Sequence, residues 1–126
     1  MKITLTVPVI VPSSNAWTFK HRWAYTKHRD TWYALLRSKL GPLKNPMTVR
    51  VYARITCHRQ KLLDYGNYVG GAKPIPDGLK NLGYLRDDSP EWFTCEYVQH
   101  KTAKINQRTT IELSDEPLPP TTKEIP

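Results

Sequence analysis

The chain has 126 residues, 39% hydrophobic and 24% charged, and its 19 Lys+Arg against 11 Asp+Glu give a net charge of +8 at neutral pH. That length supports one domain with one modest core, and the composition excludes a chain disordered throughout. Uninterrupted apolar stretches are only a few residues long, which excludes a spanning segment or a signal-peptide core, so the expectation is a soluble, cytoplasmic protein.

The charge is unevenly placed. Residues 1–63 hold 12 Lys+Arg and the single acid Asp30, a net +11; residues 64–113 sum to −1, and residues 114–126 to −2. A basic half followed by clustered acids suits a polyanion surface feeding a carboxylate site, while a generic solvated basic face is the plain alternative.

In chain order, Ile3, Leu5, Val7 and Val9 alternate with polar residues and stop at Pro12-Ser13-Ser14-Asn15, which reads as a strand followed by a loop. Residues 16–29, with Trp17, Phe19, Trp23 and Tyr25 two apart among Lys20, Arg22, Lys27, His28 and Arg29, read as an extended loop. A helix is expected next, capped by Asp30 or Thr31, with Trp32, Leu35, Leu36 and Leu40 on one stripe and Gly41-Pro42 as its stop. The clearest strand is Met47–His58, whose Met47, Val49, Val51, Ala53, Ile55 and Cys57 face the core while Arg50, Tyr52 and Arg54 share the other side. Residues 59–72 read as a polar, glycine-bearing loop. Lys73–Leu82 has helical spacing, with Pro74 and Pro76 tolerable only in its first turn and Gly83 as its end. Strands over Trp92–Lys101 and Arg108–Leu113 follow. The proline-rich tail from Ser114 is expected to be extended or disordered.

The resulting fold class is α/β in the broad sense, more narrowly α+β: a small mixed β-sheet with two helices, order β-α-β-α-β-β, in a single domain of residues 1–113 with a tail over 114–126. Cys57 and Cys95 lack disulfide-framework or zinc spacing and read as small core residues in a reducing compartment.

The chemistry concentrates around Lys73–Leu82. Ile75, Leu79 and Leu82 fall on one face of that helix and Lys73, Asp77, Lys80 and Asn81 on the other. Taken alone, Lys73 and Asp77 have the spacing of a plain helix ion pair, and Asp87-Asp88 before Ser-Pro is ordinary turn chemistry. Together with Asp64 and Asn67 ahead of the helix, however, they bring carboxylates and a lysine to the ends of one short element. Mg²⁺ needs few protein carboxylates and leaves positions for water and phosphate; a lysine beside it neutralises charge developing on a cleaved phosphodiester.

Pro12-Ser-Ser-Asn15, Asp64-Tyr-Gly-Asn67, Gly71-Ala-Lys73, Asp77-Gly-Leu79, Leu82-Gly83 and Asp87-Asp88-Ser89 resemble the RusA-type Holliday junction resolvases of bacteria and their phages. The resemblance covers residues 3–113 in element order, and its specific part is Asp64 to Asp88. It implies a homodimeric endonuclease that uses Mg²⁺ or Mn²⁺ to nick paired strands of a four-way DNA junction in recombination and repair, in the cytoplasm of a bacterial or phage-infected cell. Carried over, Asp64, Lys73 and Asp88 are the catalytic residues. Asp64 and Asp88 are then the metal ligands, with Asp77 and Asp87 as further candidates, and Asn67 and Asp77 support the site. Gly66 stands where the family has an aspartate. Either Asp64, Asp88 and water hold the metal, or Asp77 or Asp87 supplies the missing oxygen, or the protein binds junctions and cuts them poorly. A glycine required by unusual backbone geometry is the plain alternative explanation of the departure.

Under the same reading, Asn15, Lys20, Arg22, Lys27, Arg29, Arg50, Arg54, Arg59 and Lys61 contact DNA, chiefly through backbone phosphates. Trp17, Phe19, Trp23 and Tyr25 either stack on bases or fill a core or interface. The alternative function is a non-catalytic structure-selective DNA-binding protein with a decayed metal site. Tyr68-Val-Gly-Gly-Ala-Lys73 departs from the P-loop spacing, and no nucleotide cofactor is expected.

Overall fold

The computed structural model describes residues 1–15 and 22–121, with Arg22 and Trp23 described by their backbone alone. Its elements are β1 (Lys2–Val7), α1 (Arg22–Leu40), β2 (Val51–Arg59), α2 (Tyr65–Ala72), α3 (Pro74–Asn81), β3 (Phe93–Lys101), a 3-10 turn (Lys104–Asn106) and β4 (Arg108–Ser114). The strands form one mixed sheet in the order β1-β4-β2-β3, with β2 and β3 parallel and the other pairs antiparallel. The parallel pair needs a long crossover, and α2 and α3 lie within it. None of the described helices is long and apolar enough to cross a membrane.

Alternation along each strand becomes rows across the sheet. Leu5, Ile111, Ile55 and Tyr97 stand side by side, as do Ile3, Leu113, Ala53 and Cys95. These rows share the core with Trp32 and Leu36 of α1, Tyr68 and Ala72 of α2, and Ile75 and Leu79 of α3. Tyr68 is fully buried, and its hydroxyl donates to the Ile55 carbonyl at 2.8 Å, tying α2 to the central strand. The apolar face expected for the Lys73–Leu82 helix is the buried one in α3, and Gly83, with φ of 94°, makes the turn that follows it.

Three expectations change. The helix before Gly41 begins far upstream of Asp30: residues 22–29 are helical, not an extended loop. The 3.6-residue stripe of Trp32 and Leu36 runs back through His28, whose ring meets Trp32 edge-on at 6.5 Å; its upstream members are polar or aromatic, which hides the period. Thr31 is therefore no cap, and its hydroxyl donates to the Lys27 carbonyl one turn back. The Trp17 and Phe19 positions, like Lys20 and the tail end 122–126, lie outside the described residues.

Residues 65–72, expected as loop, form a third helix. Its glycines argue against a helix on propensity, yet they are what let it dock: a Cβ on Gly71 would lie 1.9 Å from the Pro12 carbonyl oxygen, and one on Gly70 would lie 2.9 Å from Ser14 Cβ. Ser14 donates through its backbone to the Asn67 carbonyl at 3.0 Å, and through its hydroxyl to Asn67 Oδ1 at 3.2 Å. The strand expected from Met47 starts at Val51; Met47 instead donates its N–H to Gly83, and Val49 is exposed.

His28 joins α1 to α2, its Nε2 donating to the Gly71 carbonyl at 2.9 Å. Burial holds its imidazole below the usual range, with that hydrogen bond opposing the shift. The unfolded chain therefore binds a proton near the ordinary pKa of about 6.5 that the folded chain takes up only at lower pH, so stability falls as pH drops through that window. His28→Gln should make urea midpoints at pH 7.5 and 5.5 more nearly equal than in the wild-type protein.

Candidate active site at the joint between two helices

Lys73 is the hinge between α2 and α3. It ends the first helix, donating its N–H to the Gly70 carbonyl, and starts the second, accepting from the Asp77 N–H. Pro74 at the next position lacks an N–H and breaks the hydrogen-bond ladder there, and the Lys73 side chain is exposed. Asp77 occupies the first turn of α3, where the helix dipole favours a carboxylate.

Beside this joint is a cavity of about 370 Å³ lined by Lys73, Asp77, Asp88, Phe93, Cys95 and Tyr97, with Val69, Gly70 and Pro76 completing the wall. Three of the residues expected to carry the chemistry are thus brought together from two different segments. The ion pairs among the described residues include neither Lys73 nor Asp77. Asp77 therefore does not pair with the lysine one turn back.

The adjacent acids of the 87–88 turn separate. Asp87 points to Lys80, Oδ1 to Nζ 3.0 Å, and the hydrogen bonds from Lys80 and Ser89 hold its carboxyl below the usual range. Asp88 faces the cavity. Asp87 does not line the cavity, and its partner is Lys80.

Asp64 does not line the cavity; it precedes α2, and its carbonyl accepts the Tyr68 N–H. The eight residues of α2 span about 12 Å, so Asp64 and Lys73 stand at opposite ends of that helix. Asn67 is likewise engaged with Ser14. The expected Asp64 and Asp88 ligand pair is not brought together on this cavity, because residues 65–72, expected as loop, are helical and set Asp64 at the far end of α2 from Lys73. Gly66 lies in its first turn with no positive φ and nothing within 4 Å of an added Cβ, so backbone geometry does not require glycine there.

Among the described residues no group of three or more His, Cys, Asp or Glu side chains is placed to hold a metal ion. Asp77 and Asp88 do not make an all-protein cage. Two carboxylates suit a hard divalent cation that keeps water and takes phosphate oxygens as further ligands.

β3 contributes residues the sequence reading did not place at the site. Phe93, Cys95 and Tyr97 follow at intervals of two, which does mark them as one face, but nothing local says that α3 ends against it. Burial pushes the Cys95 thiol up to about 12, so it is a thiol and not a thiolate near neutrality. Burial also raises the Tyr97 phenol, and its ring meets Tyr68 edge-on at 5.9 Å.

The basic half is partly spent inside the fold. Arg54 is 7% exposed, with Glu96 at 3.1 Å and Glu112 at 3.5 Å, and it also donates to the Pro119 carbonyl. Register explains this: Glu112 and Glu96 are its neighbours on the two flanking strands. Arg59 is buried and donates to the Val11 and Lys61 carbonyls at 2.6 and 2.7 Å. Both are corrected from phosphate contacts to internal fasteners. Arg29 pairs with Asp30 at 3.2 Å and lies over Tyr33. Arg50, which donates to Thr94, is exposed, as are Asn15, Lys27 and Lys61. Lys20 and the Arg22 side chain lie outside the described residues. No protein-family model matches the chain, and no curated protein matches it.

Proposed function

We propose that the protein is a metal-dependent endonuclease acting on branched DNA, of the RusA junction-resolving type, working as a homodimer on paired strands. The observation that carries this reading is the meeting of Lys73, Asp77 and Asp88 on one cavity, unpaired with each other, at the bend between α2 and α3. In this reading Asp77 and Asp88 would hold Mg²⁺ or Mn²⁺ together with phosphate oxygens, supplying Lewis-acid polarisation of the phosphodiester. Lys73, free of a carboxylate partner, sets its ammonium against the charge that gathers on the phosphate. Phe93 and Tyr97 form part of the cavity wall.

A labelled four-way junction incubated with Mg²⁺ or Mn²⁺ tests the reading: paired nicks at the branch are expected, and absence of nicking at every protein concentration overturns it. The non-catalytic alternative has one observation in its favour, the missing carboxylate at Gly66 with Asp64 remote from the cavity. Gly66→Asp decides its weight. Open space and ordinary backbone angles let aspartate in without strain. Loss of a helical glycine and a favourable dipole contact should stabilise the protein by about 0.5 kcal/mol. Nicking should stay within about twofold of wild type, since residue 66 does not line the cavity; a tenfold gain would bring that end of α2 into the reaction.

A further inference from the structure

The segment between α3 and β3 folds into a tight turn, with the Trp92 and Phe93 N–H groups both donating to the Ser89 carbonyl at 3.0 Å. One side of this turn carries Asp88 and Phe93 into the candidate active site. In the same segment the Arg86 guanidinium lies over the Trp92 indole, its carbon 4.1 Å from the ring centroid. Stacking occupies one flat face of a guanidinium and leaves its in-plane N–H donors directed outward.

Those donors are uncommitted among the described residues. Among the arginines with described side chains, Arg29, Arg50, Arg54, Arg59 and Arg108 donate to protein acceptors. Arg37 and Arg86 make no such bond among the described residues, and of these two Arg86 is the one stacked on a ring. The nearest acid in sequence, Asp87, already has Lys80 at 3.0 Å. Arg86 and Lys80 also border a second cavity of about 440 Å³, whose wall includes the apolar side chains of Leu43, Pro46, Met47 and Leu85. A pre-oriented fork of donors beside an apolar wall matches a ligand that is anionic at one end and flat and apolar-faced at the other. A nucleotide within a strand has that form.

We propose that Arg86, held on Trp92, binds a backbone phosphate of the DNA strand, with the adjoining base against the apolar wall of the neighbouring cavity. The proposal rests on the phosphodiester reading of the Lys73, Asp77 and Asp88 cavity and adds a strand-positioning residue to it. Arg86 precedes Asp88 by two residues, so their backbones lie within about 7 Å of each other.

The test is equilibrium binding of a fluorescent four-way junction in EDTA, over a range of salt concentrations, so that cleavage plays no part. Arg86→Gln should bind about tenfold more weakly and reduce the slope of log affinity against log salt by about 0.9. Arg86→Lys should keep the slope and bind between the two. Trp92→Leu should weaken binding although it removes no charge, and the double variant should bind no more weakly than Arg86→Gln alone. Arg86 is exposed, so the Gln variant should melt with the wild-type protein. Wild-type affinity and slope in Arg86→Gln, or additive losses in the double variant, would overturn the proposal while leaving the nuclease reading intact. Failure of the wild-type protein to bind the junction would sink both.

Discussion

Lys73→Ala and Asp88→Asn should each lower the rate of junction nicking by about a hundredfold or more, with melting temperatures close to wild type. The size follows from what each group would do. An ammonium or a metal-holding carboxylate aimed at developing phosphate charge in a walled site is worth several kcal/mol of barrier, and each 1.4 kcal/mol is tenfold in rate. Stability should be unaffected because both side chains are exposed and neither is in an ion pair among the described residues. Asp87→Asn is the matched control: its carboxylate serves Lys80, an exposed contact of small worth, and nicking should fall no more than a few-fold. Single-turnover rates of the three variants beside wild type check this. Equal losses for Asp87→Asn and Asp88→Asn would remove the distinction between the two acids, and with it the assignment of Asp88 to the cavity.

The second large effect is on stability. Gly71→Ala should destabilise the protein by about 2–4 kcal/mol, a substantial part of the whole for a small domain. The added methyl would lie 1.9 Å from a backbone oxygen of Pro12 and 3.0 Å from Val11 Cγ1, and Val11 is fully buried, so neither neighbour has room to yield. Relief requires α2 to move off the segment after β1, which would also break the contacts of Ser14 with Asn67 and shift Lys73 two residues further on. Gly66→Ala in the same helix meets open space and should cost nothing. Urea unfolding of the two alanine variants side by side measures the contrast; equal midpoints would refute the close-docking account.

The glycines of α2 also show where sequence reading reached its limit. Three glycines within residues 65–72 argue for a loop on helix propensity. The helix forms because Tyr68 and Ala72 are buried in the core and because Gly70 and Gly71 let its backbone approach residues 12–14. That gain is tertiary and leaves no local trace. Arg54 makes the same point from the other side. Its outward position on β2 was legible from alternation, but its two glutamates come from strands distant in sequence, so the register that buries it was not. The acids of the candidate site were legible as a set, yet the separation of Asp88 from Asp87 and of both from Asp64 was not. Those choices depend on how α3 and the turn after it lie against β3.

By itself, the sequence determined the elements whose signal is local: the alternating strands, the amphipathic 74–81 helix, the stops at Gly41 and Gly83, and the clustering of carboxylates and Lys73 around one short segment. Periods of two and of 3.6 residues, and turns that need positive φ, are properties of neighbouring residues and need no partner to be read. Tertiary structure alone decided which of the clustered acids share a cavity, which arginines are consumed internally and which is held on a ring, because strand register and close helix docking join residues that carry no mark of each other along the chain.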